Sequence, residues 1–116
     1  MIEKLIEIAK KEVGYLEKKS NSQLDDKTAN AGRNNYTKYA RDLDNIPNFY
    51  NGRKNGFAWC DVFVDWCFVQ AFGVDKAKEL LCQPNKSLGA GCYYSARYYK
   101  QNKQFFNKKK KGDQIF

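Results

Sequence analysis

The sequence predicts a mainly α-helical single domain spanning residues 1–116. Three observations carry that prediction. Apolar residues recur at helical spacing in several separate segments. One central segment is apolar almost all round, and only the last five residues, GDQIF, read as the start of a strand. A chain of 116 residues that is 42% hydrophobic and 16% aromatic builds one domain with a modest core and is not disordered.

The elements follow in order. Ile2, Leu5, Ile6, Ala9, Val13 and Leu16 share a face, which predicts a first helix from residue 2 to 13 or a little further, weakened at its end by Gly14. KKSNSQLDDKTANAGRNN (18–35) is polar and rich in Ser, Asn, Asp and Gly, so a long loop is expected, and loops of this length in a small domain are often functional. NNYTKYARDLD predicts a short helix, capped by Asn35, with Tyr36, Tyr39, Ala40 and Leu43 on one face. NIPNFYNGRKNG is a second loop, punctuated by Pro47, Gly52 and Gly56. A central, buried helix is predicted over residues 58–72, where Asp61, Asp65 and Gln70 are the only polar side chains apart from the thiols, and Gly73 stops it. Asp75 is placed to cap KAKELLCQ, which Pro84 terminates. NKSLGAG is a loop, and CYYSARYYKQN a last helix with an aromatic surface.

The net charge of +8 favours an anionic partner: nucleic acid, a membrane surface or an anionic cell-wall polymer. Part of the excess lies in Lys108–Lys111, a run that reads as a solvated connection. No apolar run approaches the roughly 20 residues that span a bilayer. The amphipathic start has no signal-peptide core, so passage out of a cell would need another device. The four cysteines, Cys60, Cys67, Cys82 and Cys92, form no C-x-x-C pair, and with no histidine in the chain they do not make a zinc pattern. No cofactor and no metal are implied. Asn21, Asp25, Asp26 and Asn30 resemble a calcium loop in composition but lack its spacing and its distal Glu.

The chemistry concentrates in GFAWCDVFVDWCFVQAFG (56–73), with two Trp-Cys pairs seven residues apart. Cys60 falls in the first turn of the predicted helix, where the partial positive charge and the unpaired N–H groups favour a thiolate and can face an oxyanion. Cys67, two turns on, has neither advantage. Spacing alone leaves two readings open: two small core residues, or a reactive Cys60 above a packing Cys67.

WCDVFVDWCFVQAFG resembles the nucleophile helix of CHAP domains, the cysteine, histidine-dependent amidohydrolases/peptidases with a papain-like fold. Trp59, Cys60, Phe63, Val64, Trp66 and Cys67 occupy the places of that pattern. EIAKKEVGYLEK resembles the family's opening helix, with Gly14 and Glu17 at its end. NNYTKYARDL resembles the Asn-x-x-Lys-Tyr segment before the nucleophile, and KKGDQIF resembles the entry into the barrel, with Lys where the family has Pro. The resemblance implies the helical N-terminal half of a papain-like α+β domain, ending at the first barrel strand, and hence an incomplete CHAP-like domain.

The implied activity is cleavage of amide bonds in bacterial peptidoglycan, with many such domains serving as phage or mobile-element lysins. Cys60 would attack the carbonyl, a histidine would carry the proton, and a third group would orient that histidine. The backbone N–H groups at Cys60 and Asp61 would be the oxyanion donors. Tyr36, Tyr39 and Trp59 would line the substrate cleft, although helix packing explains the tyrosines as well. Asp61 and Asp65 would contact a cation or substrate, or else be solvated or satisfy a loop. The 116 residues contain no histidine, so the resemblance implies a chain with little or no activity alone. It also implies an apolar surface where the barrel would pack and, from that, self-association, with the Asp113–Phe116 edge as one route. The competing readings are a non-catalytic cell-wall-binding or regulatory fragment and, third, a basic nucleic-acid binder in which CYYSARYYK stacks bases.

Overall fold

Five helices form among the described residues, 2–83 and 92–101, of the computed structural model: α1 (Ile2–Lys11), α2 (Lys38–Asp44), α3 (Cys60–Phe72), α4 (Val74–Leu80) and α5 (Cys92–Gln101). The domain is small and mainly helical. The predicted loop over 85–91, Pro84, the Lys108–Lys111 run and the Asp113–Phe116 edge lie outside the described residues. No helix in the described part is long and apolar enough to cross a membrane.

The hub is α3, and each of the other four helices packs on it. Its own apolar residues point in every direction, so it can lie in the middle of the domain and still bury side chains on all sides. The core gathers Tyr15, Tyr39, Ala40, Leu43, Phe49, Tyr50, Val62, Trp66 and Cys67. Tyr39 is its centre: the ring meets Tyr15, Trp59, Phe63 and Trp66 at centroid distances of 4.8, 5.7, 4.8 and 4.9 Å. Each such pair adds about 0.5–1.5 kcal/mol beyond area burial. The Tyr39 hydroxyl donates to Glu12 Oε1, which also pairs with the Lys38 ammonium at 2.7 Å.

Several predicted boundaries move: α3 begins at Cys60 and not at 58, α4 ends at Leu80 and not at Gln83, and three others shift for a local reason. The first helix stops at Lys11, short of residue 13. Gly14 takes φ 94°, and the Lys27 ammonium reaches back to accept the role of cap, donating to the carbonyls of Lys11 and Val13. Val13 and Leu16, read as part of the apolar face, therefore stand 76% and 46% exposed, and the face that packs is Leu5, Ile8 and Ala9. The cap of α2 is Thr37, whose Oγ1 accepts from Ala40 N; Asn35 instead occupies the left-handed region at φ 64°. At α4, Gly73 precedes the first residue with φ 81°, and Asp75 lies inside the first turn without capping it.

The long polar loop is ordered by a small interior of its own. Lys18 is fully buried, with its ammonium donating to Asp26 O and lying 4.7 Å from the Tyr15 ring centre. Its backbone forms bridges to Ala31 and Tyr36. Leu24 is buried beside this arrangement, and its carbonyl accepts from the Tyr15 hydroxyl at 2.6 Å. Gly32 is required by close approach: a Cβ there would lie 2.4 Å from Lys19 Cβ. Asp25, Asp26, Asn21 and Asn30, the candidate calcium ligands, are engaged within the protein. Asp25 holds Arg41 through two hydrogen bonds, and Asp26 Oδ1 accepts from the N–H groups of Thr28 and Ala29. Asn30 donates to Ser20 and Ser22, and Asn21 accepts from Asn55. Among the described residues no group of three or more His, Cys, Asp or Glu side chains comes together to hold a metal.

Candidate active site

The chain is delivered to Cys60 by a loop lashed to both ends of α2. At the C-terminal end, the Asp44 carboxylate accepts the N–H groups of Lys54 (2.8 Å) and Asn55 (3.1 Å). An acid at a helix C-terminus opposes the dipole, and these two donors offset that cost. At the N-terminal end, Asn55 Oδ1 accepts from Thr37 N and Gly56 N donates to Asn35 O. Gly56 sits at φ 93° with the Tyr36 ring against it; a Cβ would meet that ring at 3.4 Å. The loop then closes a turn, Phe57 N to Lys54 O, and reaches Trp59 and Cys60.

Trp59 is the N-cap residue of α3 and gives no side-chain cap. The first intrahelical bond runs from Phe63 N to Trp59 O, so residues 60–62 form the first turn, whose N–H groups have no acceptor within the helix itself. Cys60 is the first residue of this helix and its thiol is exposed. Cys67 is buried in the core, and desolvation, with a smaller push from Glu12, raises its pKa to about 12. The Cys82 thiol is half-buried and also pushed up by desolvation.

The residues expected around the nucleophile separate into two groups. Trp59 and Tyr36 flank the entrance of α3 and are half-buried, with Trp59 stacked on Tyr39. Tyr39 itself is 1% exposed and offers no surface to a ligand; its place is in the core, where it supports Trp59. Its hydroxyl pKa is raised by burial and by the bond to Glu12. Phe57, three residues before Cys60 and 64% exposed, was not among the expected contacts.

Of the readings open for the two acids of α3, solvation is overturned by their burial, whereas Asp65 does satisfy a loop residue, Tyr50. Asp61 and Asp65, one turn apart, are 2% and 0% exposed. Asp61 Oδ2 accepts from Ser95 Oγ of α5 at 2.8 Å. Asp65 Oδ2 accepts from the Tyr50 hydroxyl, while Oδ1 makes no well-formed hydrogen bond among the described residues. Burial, then the neighbouring Asp61 charge, pushes the Asp65 pKa up to about 8; Tyr50, Gln83 and the Lys78 charge oppose that rise. Lys78 of α4 is itself buried, donating to Phe49 O at 3.2 Å and lying over the Phe49 ring, and desolvation lowers its pKa. A periodicity signal for this buried polar layer exists in the sequence: two acids at i and i+4 on a helix otherwise apolar all round.

Comparison with protein families, with curated proteins and with solved structures gives no match for this chain. The functional reading therefore rests on the residues and their geometry.

Proposed function

We propose that the chain carries the nucleophile of a cysteine amidase or peptidase acting on bacterial peptidoglycan, and that alone it turns over little or no substrate. The carrying observation is Cys60: an exposed thiol at the first residue of a helix whose following turns are core, reached by a loop that hydrogen bonds hold to α2. Core packing does not require a cysteine at an exposed position, whereas a nucleophile requires access and is favoured by a helix start. The ordered likeness to CHAP motifs supplies the substrate class. The lack of any histidine in the 116 residues removes the usual base and acid, which supports low activity.

The test supplies the base from solution. Purified peptidoglycan is incubated with the chain, with and without imidazole, and released amines are followed. Release that needs imidazole and disappears in Cys60→Ala is the expected result. Cys60-dependent release without imidazole would overturn the inactivity. The missing histidine also favours a second reading, a non-catalytic wall binder; retention on sacculi that Cys60→Ala leaves intact, with no release under either condition, supports that reading. The absence of both release and retention would overturn the cell-wall assignment.

A further inference from the structure

We infer that Tyr15, Tyr39, Trp66 and Glu12 form a binding site for a primary alkylammonium group, and that the chain's own Lys38 is its displaceable occupant. The ring centres of Tyr15, Tyr39 and Trp66 lie 5.4, 5.7 and 5.5 Å from Lys38 Nζ, and Glu12 Oε1 lies 2.7 Å from it. The walls come from three places: Glu12 and Tyr15 follow α1, Tyr39 belongs to α2 and Trp66 to α3. Aromatic faces within about 6 Å attract a cation through the ring quadrupole, and more strongly where water is excluded. The three rings are buried, whereas the side chains of Lys38 and Glu12 are 17% and 12% exposed. The charged end of the site therefore meets solvent and its walls do not.

Each wall is pinned by a bond that does not involve the Lys38 ammonium. The Tyr15 hydroxyl donates to Leu24 O and accepts from the Lys38 backbone N–H, which any residue but proline would keep. The Tyr39 hydroxyl donates to Glu12 Oε1, and Trp66 Nε1 donates to Asp42 Oδ2. The Tyr39 ring packs on the other two. Lys18, the other cation over the Tyr15 ring, is committed to Asp26 O. The cage is thus preorganised, and a ligand entering it has little ordering to oppose it. Lys38 is also the first residue of α2, where a cation opposes the helix dipole, so the rings and Glu12 account for its position and α2 does not. Once displaced, Lys38 regains rotamer freedom.

The experiment titrates the chain with n-propylammonium, which replaces the atoms that Lys38→Ala removes. Binding is read from tryptophan fluorescence, Trp66 being one of two tryptophans in the chain, and from the urea midpoint. 1-Propanol and sodium chloride are the neutral and ionic controls. In Lys38→Ala, propylammonium is expected to bind about tenfold or more tighter than 1-propanol. Adding Glu12→Gln, which can still accept from Tyr39, is expected to weaken it by about tenfold. In the parent the same response is expected only at concentrations about tenfold or more higher, because the tethered Lys38 competes. Responses in Lys38→Ala no larger than those to the controls, or no loss with Glu12→Gln, overturn the site. A response in Lys38→Ala with none in the parent overturns the displaceable occupant and leaves Lys38 a fixed core cation. If Lys38→Ala is unfolded by circular dichroism, folding restored by propylammonium and not by the controls supports the site, and failure to restore it overturns the site. The assay uses neither cell wall nor Cys60, so its outcome is independent of the peptidoglycan assignment.

Discussion

Asp65 offers the sharpest test of how this core is built. Its carboxyl is fully buried, its folded-state pKa lies near 8 against an ordinary value of 3.8, and one oxygen lacks a well-formed hydrogen bond. The sign follows from linkage. Between pH 3.8 and about 8 the folded chain holds a proton that the unfolded chain has released, so stability falls as pH rises through that window. Below the window both states are protonated and the group is silent. Each pH unit contributes about 1.4 kcal/mol, so the ionised carboxylate costs the fold on the order of 5 kcal/mol by pH 9. That is comparable to the whole stability of a small domain, about 5–15 kcal/mol.

Asp65→Asn removes the titration and keeps the shape. The amide oxygen can still accept from Tyr50, and the amide nitrogen gains the donor capacity that the Oδ1 position lacks. Lys78 loses an opposing charge, which trims the gain. The expected outcome is a variant close to the parent in stability at pH 4 and more stable by several kcal/mol at pH 8 to 9. The difference should grow steadily between those limits. Urea unfolding of both proteins at a series of pH values measures it, because titrating groups remote from Asp65 are common to the two and cancel in the difference, while Asp61, Tyr50 and Lys78 contribute through their coupling to it. A difference that does not change with pH, or a variant that is the less stable at pH 8, would refute the reasoning.

Two further outcomes follow from the geometry. Among Cys60, Cys67 and Cys82, iodoacetamide should modify Cys60 first in the native protein, and Cys67 only on unfolding, because its thiol is buried and its pKa is about 12; mass spectrometry of a time course checks the order. Gly32→Ala should destabilise the domain by about 1–3 kcal/mol through the collision with Lys19, read as a lower urea midpoint with an unchanged slope.

The sequence made the helices legible where a periodic face and a breaker coincide. The apolar ring of residues 60–72 and Gly73 define α3, and Tyr39, Ala40 and Leu43 define the buried face of α2. It misled where a side chain distant in sequence does the work of a local signal. Lys27 ends α1 by capping it from another segment, and that contact cannot be read from the periodicity of Ile2 to Leu16. Composition gave no sign that the 18–35 loop has an interior of its own, because a lysine is an improbable core residue, yet Lys18 becomes one when it lies against the Tyr15 ring and Asp26 O takes its ammonium.

The site divides along the same line. The placement of Cys60 at a helix start was legible because it is local: one residue at one helix start. The roles of its neighbours were not, because each depends on a partner far along the chain. Tyr39 is withdrawn into the core by Glu12, 27 positions away, and Asp61 is turned inward by Ser95, 34 positions away. The same tertiary contacts that remove Tyr39 from the expected cleft fix Trp59 beside Cys60. A substitution that loosens that packing, such as Tyr39→Leu, therefore acts on Cys60 only through Trp59 and the first turn of α3. Core and candidate site meet in that turn: Cys60 faces out, while Asp61 faces in and accepts from Ser95.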